Sequence, residues 1–190
     1  MQTQKPIAAT PHQDGKKNGM KKPGFLNRVT GNYFTRKKVN ALVEGADGVN
    51  GASVRELVKR ANEGEAVVRV LSEMIAKGGE RGAGAALMIS KLSEEGINCE
   101  EAGVPLREML FYGGAMEQGT AALALIRIRD EFALSALVDA SKSRDRGIQR
   151  AAGIIVPGAK AALEEDAAKS ENPRIRELCR ELLGQFFCHE

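Results

Sequence analysis

The chain contains no tryptophan, two tyrosines and six phenylalanines, so aromatics make up only 4% of its residues. A core this short of rings has to be filled by Ala, Leu, Ile, Val and Met. Strands draw heavily on aromatic and β-branched side chains, so the shortage disfavours a sheet sandwich and favours closely packed helices. Histidine is scarcer still, with only His12 and His189. A metal site or an acid–base pair needs a rigid supporting shell, which neither position promises. The three cysteines, Cys99, Cys179 and Cys188, form no Cys-x-x-Cys pair. An odd number at irregular spacing excludes a closed disulfide framework and fits free, mostly buried thiols in a reducing compartment. Zinc on Cys179, Cys188 and His189 is disfavoured because Cys179 falls on an apolar helical stripe.

Other absences narrow the chemistry further. No apolar run approaches the ~20 residues that a membrane helix needs. The first residues lack the apolar core of a signal peptide, so the expected location is the cytoplasm. No Gly-x-x-x-x-Gly-Lys-Ser/Thr loop occurs. The stretch Gly78-Gly79-Glu80-Arg81-Gly82-Ala83-Gly84 is glycine-rich, but it follows a helical pattern, has no strand before it and lacks the phosphate-binding lysine. It is expected to be a flexible turn that lets two helices approach. Glu100-Glu101 and Glu164-Glu165-Asp166 are acidic runs. Catalytic carboxylates need one member desolvated to part their pKa values, and runs on a helix surface stay solvated. No catalytic, cofactor or metal residue is therefore expected, and the chain is not expected to be an enzyme.

The net charge of +3 conceals a division. Residues 1–40 hold nine Lys/Arg against one acid, Asp14, whereas residues 41–190 hold nineteen against twenty-four. The chain reads as a basic tail on a mildly acidic body. Residues 1–31 carry Pro6, Pro11 and Pro23, two Lys-Lys pairs and little apolar periodicity. Such a segment cannot bury enough surface to offset its ordering entropy, so it is expected to be disordered, with Phe25-Leu26 as its one apolar docking spot. Lys16, Lys17, Lys21 and Lys22, with Arg36, Lys37 and Lys38 just beyond, are candidates for contact with an anionic partner: nucleic acid, an anionic membrane or an acidic protein.

From about residue 32 the pattern is helical throughout. The spacing predicts a helix over Thr35 to Glu44, then a turn-rich link over Ala46 to Ala52. Ser53-Val54-Arg55-Glu56 reads as a capping box, with Val54, Leu57, Val58 and Ala61 inward. Glu65 to Lys77 buries Val67, Val70, Leu71, Met74 and Ile75. Ala83 to Glu95 buries Ala85, Met88, Ile89 and Leu92. Pro105 suits the first turn of a helix to Tyr112, with Leu106, Met109 and Leu110 inward, and Gly113-Gly114 breaks it. Glu117 to Arg129 is rich in Ala and Leu. Asp130 and Asp145 read as N-caps, and Pro157-Gly158 as a separator before Ala159 to Lys169. Asn172 caps a last helix with Pro173 at its first position. Its stripe is Ile175, Leu178, Cys179, Leu182, Leu183 and Phe186, with Phe186 and Phe187 expected to cover the end of the core. About nine short helices with no strand make the chain all-α.

Two stretches repeat. Lys142-Ser143-Arg144-Asp145-Arg146-Gly147-Ile148-Gln149-Arg150-Ala151-Ala152 parallels Lys169-Ser170-Glu171-Asn172-Pro173-Arg174-Ile175-Arg176-Glu177-Leu178-Cys179. Each has Lys-Ser, a polar cap, then Ile followed by an apolar pair at i+3 and i+4. Ala85-Ala86, Ala121-Ala122 and Ala151-Ala152 recur in corresponding places. Units this small cannot bury an apolar face alone and have to stack. In this the chain resembles the HEAT-repeat family, most clearly from Ala121 to Leu183. The resemblance implies a right-handed superhelix of antiparallel helix pairs (an α-solenoid) over residues 32–190. An irregular helical bundle satisfies the same pattern.

Because second helices line the concave face of HEAT-like arrays, the resemblance implies a row of arginines there. Arg127 and Arg129 end one helix, Arg146 and Arg150 begin the next second helix, and Arg174 and Arg176 begin the last. A guanidinium grips carboxylate or phosphate in a bidentate fork, although i, i+4 pairing on the surface is the blander use. Two readings follow: a non-enzymatic adaptor or scaffold that binds a protein partner, or a nucleic-acid-binding protein using the tail and the arginine row. HEAT-like DNA glycosylases rely on aromatic and acidic residues around the lesion, which suits poorly a chain with only Tyr33 and Tyr112 and no tryptophan. Nothing marks a chromophore site of the kind HEAT-like bilin lyases have.

Overall fold

Val67, Val70, Leu71, Met74 and Ile75 all face inward on one helix, as their i, i+3, i+4 spacing requires. The computed structural model describes residues 36–43 and 51–187, and among them every regular element is helical. Residues 36–43 form α1. There follow α2 (Gly51–Asn62), α3 (Val67–Lys77), α4 (Gly79–Glu94), α5 (Gly103–Tyr112), α6 (Ala115–Ile128), α7 (Glu131–Ser141), α8 (Arg146–Ile155), α9 (Lys160–Lys169) and α10 (Pro173–Phe187). Short 3-10 turns precede α5 (Glu100–Ala102) and join α8 to α9 (Val156–Ala159). The expected tail over residues 1–31, the link at 46–50, Cys188 and His189 lie outside the described residues.

The local stop and start signals act as their chemistry predicts. Asp130 Oδ1 accepts from the Ala133 amide at 2.6 Å. Asp145 Oδ1 accepts from Gly147 at 2.7 Å and Ile148 at 3.3 Å. Asn172 Oδ1 accepts from Arg174 at 2.8 Å and Ile175 at 3.4 Å. Each satisfies amides that the first helical turn leaves unpaired.

Two starts differ from expectation. Helix α2 begins at Gly51, which puts Ser53 inside its first turn instead of at its cap. The Gly78–Gly84 stretch is not a turn: after Gly78 (φ +69°) and Gly79 (φ +71°) the chain enters α4, and Gly82 and Gly84 lie within it. Glycine disfavours helix intrinsically, but close packing overrides that here. A Cβ on Gly82 would stand 3.0 Å from Met109 Cε and 3.2 Å from the Met74 carbonyl oxygen. The bare backbone lets α4 lie against the end of α3 and against α5.

One carboxylate links two of these corners. Glu117 Oε2 accepts from its own cap residue, Gly114, at 2.7 Å, and Glu117 Oε1 accepts from Gly79, the first residue of α4, also at 2.7 Å. It thus serves the starts of α6 and α4 together, where the positive helix ends favour a negative charge.

Packing runs in two layers. Helix α3 lies on α5 and α5 on α7, while α4 lies on α6 and α6 on α8; α3 also lies on α4, α5 on α6, and α7 on α8. Helix α6 touches α4, α5, α7 and α8. Its Ala121, Ala122 and Ala124 are fully buried, and residues this small allow close interaxial approach. The last step departs from the alternation. Pro157-Gly158 separates α8 from α9, as expected, within a 3-10 turn whose flanking Val156 and Lys160 keep right-handed helical dihedrals. Helix α10 then returns along α9 and packs on α7. Leu178, Cys179 and Leu182 are buried there, whereas Ile175, Leu183 and Phe186 are half-buried at the rim of the core.

Candidate functional site

The sequence proposes a row of arginines, and the structure divides it. Arg127 Nε meets Glu94 at 3.0 Å. Arg129 ends α6 in a left-handed conformation (φ 53°) and pairs with Asp166 at 3.2 Å. Arg174 bonds Glu177 at 2.7 Å, and that hydrogen bond holds its pKa above the usual guanidinium value. Arg176 donates to the Ser170 carbonyl at 2.7 Å and the Glu171 carbonyl at 3.3 Å, just beyond the end of α9, where backbone oxygens lack helical partners. All four side chains are committed to this chain's own acceptors. In the basic segment, Arg36 pairs with Glu73, Lys37 and Lys38 are exposed on α1, and Lys16, Lys17, Lys21 and Lys22 lie outside the described residues.

Arg146 and Arg150 are different. Both are exposed on α8, and among the described residues neither has a hydrogen-bond or ion-pair partner. They line an open groove of about 600 Å³ together with Gly147, Gln149, Gly153 and Phe186. Two glycines keep its wall bare. A Cβ on Gly147 would press on Gln118 Oε1 at 3.0 Å, and one on Gly153 would only touch Phe186 Cε1 at 3.8 Å. Like charges at i, i+4 oppose a helix by about 0.2–0.5 kcal/mol, and no carboxylate of the described residues offsets this pair. The α8 N-terminus is not itself an anion site, because Asp145 already occupies its first amides.

Sequence reasoning missed two exposed residues on or next to α8. Arg144 is exposed and likewise without a partner among the described residues. The signal was present in Arg144-Asp145-Arg146, where one aspartate, directed by its capping role at the helix amides, stands against two guanidiniums. Ile154 is 68% exposed. With Ile155 packed against the core, one member of an Ile-Ile pair has to face outward on a helix of this register.

The remaining reactive groups are withdrawn. Burial pushes the Cys99 thiol up to about 12. It pushes Cys179 to about 11, with Asp166 adding to the effect and Arg129 opposing it. At pH 8 the thiolate, which is the nucleophile, is then about one part in 10³ or less. In a Cys188→Ser background, native protein at that pH should react with a thiol reagent ~10²-fold or more slowly than urea-unfolded protein, where both thiols return to the ordinary value. Native and unfolded rates within tenfold of each other would contradict this burial. Among the described residues no group of three or more His, Cys, Asp or Glu side chains is placed to hold a metal ion. No described helix is long and apolar enough to cross a membrane. Comparison with protein-family models gives no match, and comparison with curated protein sequences gives none either.

Proposed function

We propose that the chain is a non-enzymatic interaction module, a HEAT-like α-solenoid that docks a protein partner on the helical face carrying α8. The observation that carries this reading is the pair Arg146 and Arg150: two unneutralised guanidiniums beside an open groove, in a body whose other candidate arginines are spent on their own chain. The stacking of α3 on α5 on α7, and of α4 on α6 on α8, supports the solenoid, since each pair there buries its apolar face only against its neighbours. The basic segment before α2 adds an anionic contact that steers encounter.

The test is a quantitative pull-down from nuclease-treated extract with the full chain as bait, beside an Arg146→Glu/Arg150→Glu bait. The charge-reversed bait should retain its helical circular dichroism, because both side chains are exposed and unpartnered, and should lose at least tenfold of the captured partner. Equal capture by the two baits would remove the α8 face from the function.

A further inference from the structure

We infer that the α8–α10 groove takes an acidic segment of a partner protein in extended conformation, reading acidic–x–acidic–x–apolar. Its two carboxylates engage Arg146 and Arg150, and its apolar side chain rests on the exposed Ile154. This rests on the interaction-module reading and specifies its ligand.

The register comes from geometry. Arg146, Arg150 and Ile154 stand at i, i+4 and i+8 of one helix, so they share a face at steps of about 6 Å along the axis. An extended chain places alternate side chains on one face at steps of about 6.4–6.8 Å. Three alternate residues of a bound segment therefore meet the three α8 positions in turn. The first two positions are guanidiniums without a partner, for which a carboxylate offers a bidentate, charge-assisted match. The third is an isoleucine 68% exposed, next in the chain to Gly153, whose Cβ position lies 3.8 Å from the Phe186 ring. Gly153, which lines the groove and whose Cβ position meets only Phe186 Cε1 at 3.8 Å, leaves room for the segment's backbone near the helix.

The same features decide between anionic ligands. A nucleic acid would meet cations at only part of the face, then an exposed isoleucine. It would also be repelled by a body holding twenty-four acids against nineteen Lys/Arg over residues 41–190, and phosphate binding grows with the number of phosphates neutralised. An acidic peptide needs only the two guanidiniums and gains from the apolar step.

Fluorescence anisotropy with the full chain tests this. The probe is a labelled twelve-residue peptide containing Glu-Ser-Glu-Ser-Leu, with a second probe carrying the five residues in reverse order because either chain direction fits. At low salt one of the two should bind saturably. Replacing both glutamates by glutamine should weaken it at least tenfold, and replacing the leucine by serine at least threefold. On the protein side, Arg146→Gln/Arg150→Gln should weaken it at least tenfold and Ile154→Ser at least threefold, with helical content unchanged. No binding of either peptide overturns the proposal, as does equal binding of the glutamine peptide or equal binding by the Arg146→Gln/Arg150→Gln protein. So does tighter binding of a single-stranded oligonucleotide through the same arginines, or self-association of the chain that blocks the groove. The pull-down separates this from the broader reading. If the charge-reversed bait loses its partner while both peptides fail to bind, the interaction module stands and the acidic segment falls.

Discussion

Gly113→Ala is expected to destabilise the fold by about 3 kcal/mol, near the upper end for an overpacked site. The new Cβ would stand 2.5 Å from the Met109 carbonyl oxygen, 2.8 Å from Glu117 Cβ and 3.2 Å from Glu117 Oε2. None of these atoms is free to give way. The Met109 oxygen accepts the Gly113 amide at 3.0 Å, the bond that closes α5. Glu117 is held by two amides at 2.7 Å each. The methyl must therefore move backbone or break the link between the α4 and α6 starts. In a chain of this length each kcal/mol lowers the melting temperature by ~2–4 °C, so thermal unfolding should shift down by ~6–12 °C. Gly119→Ala is the control. It also lies in this region, within α6, but its Cβ would meet nothing within 4 Å, so it should gain ~0.5–1 kcal/mol from helix propensity alone. Similar melting temperatures for the two variants would show that the 113 site can relax.

Leu125→Ala should cost about 4 kcal/mol, in the upper part of the range for a fully buried leucine. Leu125 is 0% exposed on α6, the helix that touches α4, α5, α7 and α8. With four neighbours framing it, the space vacated cannot be closed by shifting one helix. On its N-terminal side it is flanked by Ala121, Ala122 and Ala124, which have no side chain long enough to swing in. Leu163 on α9 is equally buried, but α9 is held chiefly by α10 and the 156–159 turn. There a single helix can settle inward, and Leu163→Ala should cost only about 2–3 kcal/mol. Urea titrations of the two variants would decide the matter, and a larger loss at Leu163 would displace α6 from the centre of the fold's stability.

What was legible in the sequence was local. Asp130, Asp145 and Asn172 were readable as caps because a cap works over three residues, and each accepts the amides its position predicts. The apolar stripes of α3, α7 and α10 were readable because burial follows the helical period. What depended on distant partners was not. Helix propensity argued for a turn at Gly78–Gly84, since nothing nearby in the chain says that the Met74 and Ile75 carbonyls will crowd Gly82. The site was half legible for the same reason. Arg127 and Arg129 find Glu94 and Asp166 across sequence gaps that no pattern announces. Arg146 and Arg150 stand out only once their neighbours' pairings are known.

The Glu117 carboxylate has a mechanical consequence. A force that pries the α3–α4 corner from the α5–α6 corner is resisted by the Gly79 amide's bond to Glu117 Oε1, whose carboxylate is itself braced by the Gly114 amide at the start of α6. The two corners therefore move as one body and pass displacement along instead of absorbing it. Compliance shifts to joints without such a tie. One is the 156–159 turn, which has no side-chain cap and follows Ile155 at the end of α8. A partner pulling on α8 would flex the α9–α10 end while the α3–α6 block stays stiff.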